Sequence, residues 1–221
     1  MDSSEKSSVR KMLLFDFDGT IADSFLMVIE EYNRFAPWFF ARPIPEDSFE
    51  EIRSLSIQDL AVRQHVNLVS GFFLFGIIQL QMYRRVKELH PYKNILLIIQ
   101  LIHVAYPDLI IGILSSNNTL VIDEFLDANH AKHSFSEVLS SNGVFNKNKI
   151  VGQLIKKYAL IPANILYVTD EKRDVIMAKK CEIKSLGVTW GYGSKSSLME
   201  YSPDYLVESP DSMIEIIEAF V

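Results

Sequence analysis

Cysteine is almost missing from this 221-residue chain, and Cys181 is its only one. An intramolecular disulfide is therefore excluded, as is any metal site built from several thiolates. A lone thiol suits a reducing compartment, so a cytoplasmic location is expected. Positive charge is also scarce. The chain carries 22 Lys and Arg against 28 Asp and Glu, a formal net charge of -6. Without a basic face there is no platform for a phosphate backbone, and no nucleic-acid partner is expected. Long hydrophobic runs are lacking too. The most apolar stretches, 68–80 and 95–105, fall short of the roughly 20 residues of a membrane helix. Gln79, Gln81, Arg84 and Arg85 cut off the first, and Gln100 and His103 interrupt the second. Both read as buried helices, and no membrane partner is expected. The opening MDSSEKSSVRK is polar and of mixed charge, so a secretory signal is not expected.

Hydrophobic residues make up 48% of the chain, enough to bury a core. The length suits one domain, or one domain carrying a smaller insert. The apolar run at 12–15 ends abruptly at Asp16, with Gly19 close behind, and reads as a buried strand. A helix is expected over 22–36, from Phe25, Ile29 and Tyr32 at helical spacing. Pro37, Pro43 and Pro45 then break the pattern. From there to about residue 89 only helical character shows. Ser56 is a plausible N-cap for a helix through Val62, a longer helix is expected over 72–89, and Pro91 suits the start of the next, 92–105. Beyond Tyr106-Pro107-Asp108 strands alternate with helices. Strands are expected at 109–114, near Val138, and at 165–169, 185–188 and 205–207. Helices are expected at 119–129, 149–158, 174–180 and 211–220. That alternation predicts an α/β fold, a Rossmann-like parallel sheet with helices on both faces. The helical stretch 25–90 would be an inserted cap.

Three apolar strands end alike: KMLLF at Asp16, LIIGIL at Ser115 and Ser116, and NILYVT at Asp170. In an open parallel sheet such ends lie along one edge, where ligands bind. Asp16, Asp18, Asp170 and Asp174 would crowd carboxylates together, and like charges raise one another's pKa. A divalent cation relieves that conflict. Few protein ligands, all hard oxygens, suit Mg²⁺. A carboxylate can also act as a nucleophile towards phosphorus, helped by a lysine and oriented donors. Ser115, Ser116 and Lys147 are available for those roles.

The run DFDGT at 16–20 resembles the first motif of the haloacid dehalogenase superfamily, most of whose members are phosphatases. GILSSN resembles the second motif, GVFNKNK the third and YVTDEKRD the fourth. VTWGYG at 188–193 is similar to the tail of phosphoglycolate-phosphatase-like members. The resemblance covers nearly the whole core in the right order. It implies a C1-type cap over 23–90 and a core formed by 1–22 and 91–221. It implies Asp16 as nucleophile, Asp18 as general acid and base, and Lys147, preferred to Lys149, as the charge-neutralising lysine. Phe17, Gly19, Thr20, Ser115 and Ser116 would lie around the phosphate. Mg²⁺ would be held by Asp16, Asp18, Asp170 and Asp174, with Asp18 using its backbone carbonyl and Asp174 binding directly or orienting a water. The expected activity is hydrolysis of a small phosphorylated metabolite, phosphoglycolate among the candidates, by a monomer or homodimer. A phosphosugar mutase, a haloacid dehalogenase and a non-catalytic binding protein remain alternatives.

One departure stands out: Thr169 replaces the glycine that precedes the fourth-motif aspartate. It would lengthen the strand and add a hydroxyl, or else shift Asp170. Other readings are plainer. Ser115 and Ser116 could cap the helix near Thr119, and Asp174 the helix after it. His130 and His133 read as a solvated loop, Trp190 as packing beside a loop, Cys181 as a small residue in or near a helix, and Phe72, Phe73 and Phe75 as the core of the cap.

Overall fold

The computed structural model describes residues 10–55, 57–141 and 146–221. Six parallel strands form one sheet in the order β3-β2-β1-β4-β5-β6. They are β1 (Met12–Phe15), β2 (Ile110–Ser115), β3 (Glu137–Ser140), β4 (Ile165–Thr169), β5 (Lys184–Val188) and β6 (Tyr205–Val207). The direction of winding reverses between β1 and β4, the switch point at which doubly wound sheets open a crevice. The registers Phe15↔Ile113 and Phe15↔Val168 align the carboxyl ends of the three central strands.

All four residues of β1 are buried because both faces of the strand are covered. Successive side chains alternate between faces. Leu13 and Phe15 join Ile111, Ile113, Leu166 and Val168 under α5 (Ile95–Ala105), α6 (Thr119–Ala128) and α10 (Met213–Phe220). Met12 and Leu14 join Leu114, Ile165 and Tyr167 under α7 (Lys147–Tyr158) and α8 (Lys172–Lys180). A short α9 (Lys195–Glu200) follows β5.

Between β1 and β2 lie α1 (Phe25–Phe35), α2 (Phe49–Ser54), α3 (Ile57–Arg63) and α4 (Leu68–Arg84), with short 3-10 turns. The stretch is helical, as its composition predicts. Two small apolar clusters hold it, one around Phe25, Ile29, Ile44 and Ile52, the other around Phe35, Ala36, Ala41 and Leu74. Arg85 ties α1 to the end of α4 through Glu30 and Glu31. The outgoing and returning chains run side by side: Ala22 bridges Pro91, Asp23 N–H donates to His90 O at 2.9 Å, and Tyr92 N–H donates to Ile21 O at 2.9 Å.

Several boundaries differ from expectation for local reasons. The first helix starts at Phe25, not residue 22, because Ala22 is engaged in backbone bridges to Asp18 and Pro91. Pro91 for the same reason does not open a helix, and α5 begins three residues after Tyr92, at Ile95. The long cap helix starts at Leu68, where Asn67 and Ser70 exchange side-chain caps, and stops at Arg84 before a 3-10 turn. The helix expected from 149 begins at Lys147. Asn118, not Ser115 or Ser116, caps α6. Asp174 lies in the first turn of α8, whose N-cap is Glu171. The proposed cap at Ser56 lies outside the described residues.

The phenylalanines assigned to the cap interior are not there. Phe72 is 76% exposed and Phe73 54%, with Phe75 also exposed. Fourteen of the 17 residues of α4 are apolar or small, which invites burial on all sides, but only its Ser70, Leu74 and Met82 side is covered. Elsewhere the ring of His133 faces that of His103, and Cys181 is half-buried against Met177. No described helix is long and apolar enough to cross a membrane.

Candidate active site

Asp16 follows the last residue of β1 and takes its backbone partner from β4: its N–H donates to Val168 O at 2.8 Å. Its side chain is 3–4% exposed. Oδ1 accepts from Phe17 N–H at 2.7 Å, and Oδ2 accepts from Lys147 Nζ at 2.8 Å. Lys147 opens α7 on the same side of the sheet and is itself buried. It also donates to Asp174 Oδ2 at 2.6 Å and to Tyr167 Oη at 2.8 Å. Tyr167 in turn donates to Leu114 O at 3.0 Å, so the lysine is anchored to both neighbours of β1.

The remaining first-motif residues divide by role. Phe17 turns its ring into the core, edge-on to Phe125 at 5.1 Å, and reaches the site only through its backbone. Gly19 adopts φ +74°, a conformation open to glycine. Thr20 donates to Asp170 Oδ1 at 2.8 Å. Asp18 accepts from Ser24 Oγ and from Asn117 Nδ2, each at 2.8 Å. Ser115 Oγ accepts from Asn117 N–H at 3.1 Å. Ser116 Oγ is buried without a hydrogen-bond partner among the described residues.

Asp170 is fully buried at the end of β4. Its Oδ2 accepts from Tyr192 N–H at 2.6 Å. Glycine lets the loop after β5 come this close. A Cβ on Gly19 would stand 2.1 Å from Asp170 Oδ2, and one on Gly191 2.3 Å from it. Thr169 closes β4 with its hydroxyl 3.3 Å from Asp174 Oδ2, while accepting from Glu171 N–H at 3.2 Å. It therefore extends the strand and adds a hydroxyl. Asp174 Oδ2 is taken up by Lys147, Tyr167 and Thr169.

Burial dominates the electrostatics. It holds the Asp16 carboxyl well above its usual range, against the pull of Lys147 and with Asp174 and Asp170 adding to the rise. Burial likewise raises Asp18, opposed by the bonds from Ser24 and Asn117. It pushes Asp170 up to about 7, with Glu171 adding. Burial also acts on Asp174, but the charges of Lys147 and Arg173 outweigh it and leave its pKa at about 2. Lys147 stays charged because Asp16 and Asp174 overcome its own burial. Asp16 and Asp174 thus share one lysine, and Asp18 and Asp170 have no ion-pair partner among the described residues.

That shortfall fits a divalent cation. Among the described residues, no three acidic, His or Cys side chains form a metal cage. Asp16 and Asp170 would supply two hard carboxylate ligands. Few protein ligands, with positions left for water and substrate oxygens, are the Mg²⁺ pattern.

The haloacid dehalogenase-like hydrolase model matches residues 13–188. The chain belongs to that family. It is 30% identical over 205 residues to the phosphoglycolate phosphatase of Synechococcus elongatus, covering 93% of this chain and 96% of that protein. Pyrophosphatase PpaX of Oceanobacillus iheyensis is 23% identical over 228 residues, covering 94% and 96% of the two chains. A crystal structure from Clostridium acetobutylicum, described as a predicted phosphatase, shares the fold with a TM-score of 0.80 at 19% identity, covering 96% of this chain and 100% of that one. The expected class, a haloacid dehalogenase-type phosphatase, is the class of these relatives.

Several residues at this edge carried no sequence signal. Tyr167 passed as strand filler, yet it holds Lys147. Ser24, beyond the first motif, and Asn117, the last residue of the second motif but given no role there, hold Asp18. Trp190 donates to Thr20 O at 3.2 Å, and Tyr192 Oη lies 2.8 Å from Ser24 Oγ. On the cap, Arg53 stacks over the Phe25 ring at 4.6 Å, and that ring meets Tyr192 edge-on at 5.4 Å.

Proposed function

We propose that this family member is a Mg²⁺-dependent phosphatase for a small phosphate monoester whose leaving group carries a second negative charge. The observation that carries the reading is the buried contact of Lys147 with Asp16 at the sheet's switch point. A lysine there compensates the attacking carboxylate and the incoming phosphoryl group together.

In this reading Asp16 attacks phosphorus, the bond from phosphorus to the leaving oxygen breaks, and Asp18 gives that oxygen its proton. Asp18 then removes a proton from water, which attacks the phosphoryl group on Asp16. Inorganic phosphate leaves and the carboxylate is restored. Burial raises the Asp18 pKa, which favours the protonated form the first step needs. Delivering the proton exchanges a bond from Ser24 or Asn117 for one to the leaving oxygen. Ser115 and Ser116, the latter with no hydrogen-bond partner among the described residues, would donate to the phosphoryl oxygens. Asp16, Asp170 and the backbone of Asp18 would hold Mg²⁺, which would supply charge neutralisation. Asp174 keeps Lys147 in place, and Thr20 orients Asp170.

The substrate class rests on Arg53. Its Nε is buried without a hydrogen-bond partner among the described residues. Its guanidinium stacks on Phe25, whose ring meets Tyr192, and Tyr192 N–H donates to Asp170 Oδ2, which links it to the acidic edge. A carboxylate or second phosphoryl group on the substrate would satisfy it. The named substrates of the two relatives, phosphoglycolate and pyrophosphate, share that feature. The division into a core of 1–22 and 91–221 and a cap of 23–90 belongs to the same reading, supported by the paired crossing at Ala22 and Pro91. A cytoplasmic location accords with the single thiol.

The test is a screen of small phosphate esters with and without Mg²⁺, on the natural chain and on Asp16→Asn. The expected result is metal-dependent phosphate release by the natural chain and none by the variant. Full turnover by Asp16→Asn, or no hydrolysis of any ester at saturating Mg²⁺ by folded protein, would end the proposal.

A further inference from the structure

The outer side of α4 is the least expected surface of this molecule. Leu68 is 94% exposed, and Val69, Phe72, Phe73 and Leu80 are exposed with it. At 100° per residue these five share one side of the helix, with Gly76 at its centre. A Cβ on Gly76 would meet nothing within 4 Å. No Asp, Glu, Lys or Arg occurs between Arg63 and Arg84. Phe39 stacks on Phe73 with centroids 6.5 Å apart, so the turn bearing Trp38 and Phe40 borders the same surface. Trp38 and Phe40 are themselves strongly exposed.

The apolar area these seven side chains present is on the order of 800 Å², above the few hundred of an ordinary monomer.

We propose that this surface is the contact between two copies of the chain, related by a two-fold axis, with the two α4 helices crossing at Gly76. The inference is independent of the reaction. Area supports it: two such patches together bury about 1,600 Å², the size of a standard stable interface. The shape supports it as well. A two-fold contact presents the same patch on both sides, and a residue without a side chain at the crossing lets the helix backbones approach closely. Charge selects the occupant. An anionic lipid surface would call for Lys and Arg beside the apolar side chains, and this stretch has none. A dissimilar partner would normally be oriented by charge, and α4 offers none before Arg84.

Sedimentation equilibrium over a range of protein concentrations tests the proposal, with Leu68→Glu/Phe72→Glu as the variant. Both positions are exposed, so the variant should keep the circular dichroism spectrum of the natural chain and a cooperative unfolding transition. The expected result is a natural chain of twice 25.3 kDa at micromolar concentration and a variant at 25.3 kDa. A second measurement uses Gly76→Cys, which should form an intermolecular disulfide on mild oxidation, whereas the natural chain, bearing Cys181 alone, should not. A monomeric natural chain overturns the proposal, whether or not it binds phosphatidylcholine vesicles. So does a dimer that survives both charges, or one in which Gly76→Cys fails to cross-link.

Discussion

Lys147 Nζ lies 2.8 Å from Asp16 Oδ2, a buried contact between residues 131 positions apart in the chain. The same ammonium reaches Asp174 Oδ2 at 2.6 Å. One cation therefore compensates two carboxylates in a setting that water does not reach. Replacing it by Met keeps the volume and removes the charge. Asp16 and Asp174 would then face each other uncompensated, a loss of about 3–5 kcal/mol for a broken buried pair. Turnover should fall by about 10²–10³ because charge compensation at the transition state goes with it. Urea unfolding and steady-state kinetics on Lys147→Met check both numbers. Stability unchanged within about 1 kcal/mol would contradict the buried pair.

The glycines of the loop after β5 make a sharper prediction. A Cβ on Gly191 would lie 2.2 Å from Gly19 O and 2.3 Å from Asp170 Oδ2. Neither neighbour is the free end of a flexible side chain, since Asp170 is pinned by Thr20 and Tyr192. Gly191→Ala must displace the Asp170 carboxylate or the Gly19 turn. The expected cost is about 1–3 kcal/mol of stability. Because the displaced group is the proposed metal ligand, the Mg²⁺ concentration for half-maximal activity should rise by at least about tenfold. Gly152→Ala, in α7 with open space around its Cβ, is the control: it should leave the Mg²⁺ requirement unchanged and raise stability by about 0.5–1 kcal/mol.

Much of this was legible in the chain. Apolar runs ending in Asp16, Ser115 and Asp170 predicted the sheet edge, because a parallel strand buried on both faces is continuously apolar and its polar terminus marks the rim. Lys147 was selected over Lys149 on the ground that the latter begins a helix. The helix in fact begins at Lys147, so the choice rested on a boundary that sequence could not place. Thr169 was ambiguous because propensity cannot say whether a hydroxyl finds a partner; Asp174 is that partner. Tyr167, Ser24, Asn117 and Arg53 were missed for one reason. Each acts through a contact distant in sequence or across the cap-to-core crossing, and no local periodicity encodes it. The exposed phenylalanines of α4 were misplaced because an all-round apolar helix normally signals burial within its own chain.

The carboxyl pKa values predict a pH dependence of stability with a definite sign. Asp170 is held at about 7, and Asp16 and Asp18 are also raised, each by burial first. A carboxyl raised on folding binds more protons in the native state, so stability falls as pH rises from the unfolded value to the folded one. For Asp170 that window runs from 3.8 to about 7. Asp174, at about 2, has the opposite effect, but loses its contribution only below 3.8. Metal-free protein should therefore lose thermal stability between about pH 5 and pH 7. The proposed Mg²⁺ ligands are deprotonated carboxylates, so stabilisation by the ion should grow across the same interval. Thermal unfolding in chelator and in Mg²⁺ checks this. A metal-free midpoint that climbs through the window, or a Mg²⁺ effect independent of pH, would contradict it.

Arg53 separates substrate recognition from the chemical step. Its guanidinium stacks on Phe25 and its backbone carbonyl accepts from Ser194 N–H at 3.2 Å, so the residue spans from α2 to the loop before α9. Its Nε has no hydrogen-bond partner among the described residues, whereas Arg63 and Arg85 each pair with a glutamate. Arg53→Met retains the stacking and removes the charge. For an ester with a carboxylate on its leaving group, such as phosphoglycolate, kcat/KM should drop by about 10–10². For an ester whose leaving group is uncharged, the same variant should change kcat/KM by less than about threefold. The contrast between the two esters is the informative quantity, since a merely structural loss would lower both alike. Equal losses on both would remove Arg53 from recognition and leave the proposed nucleophile untouched.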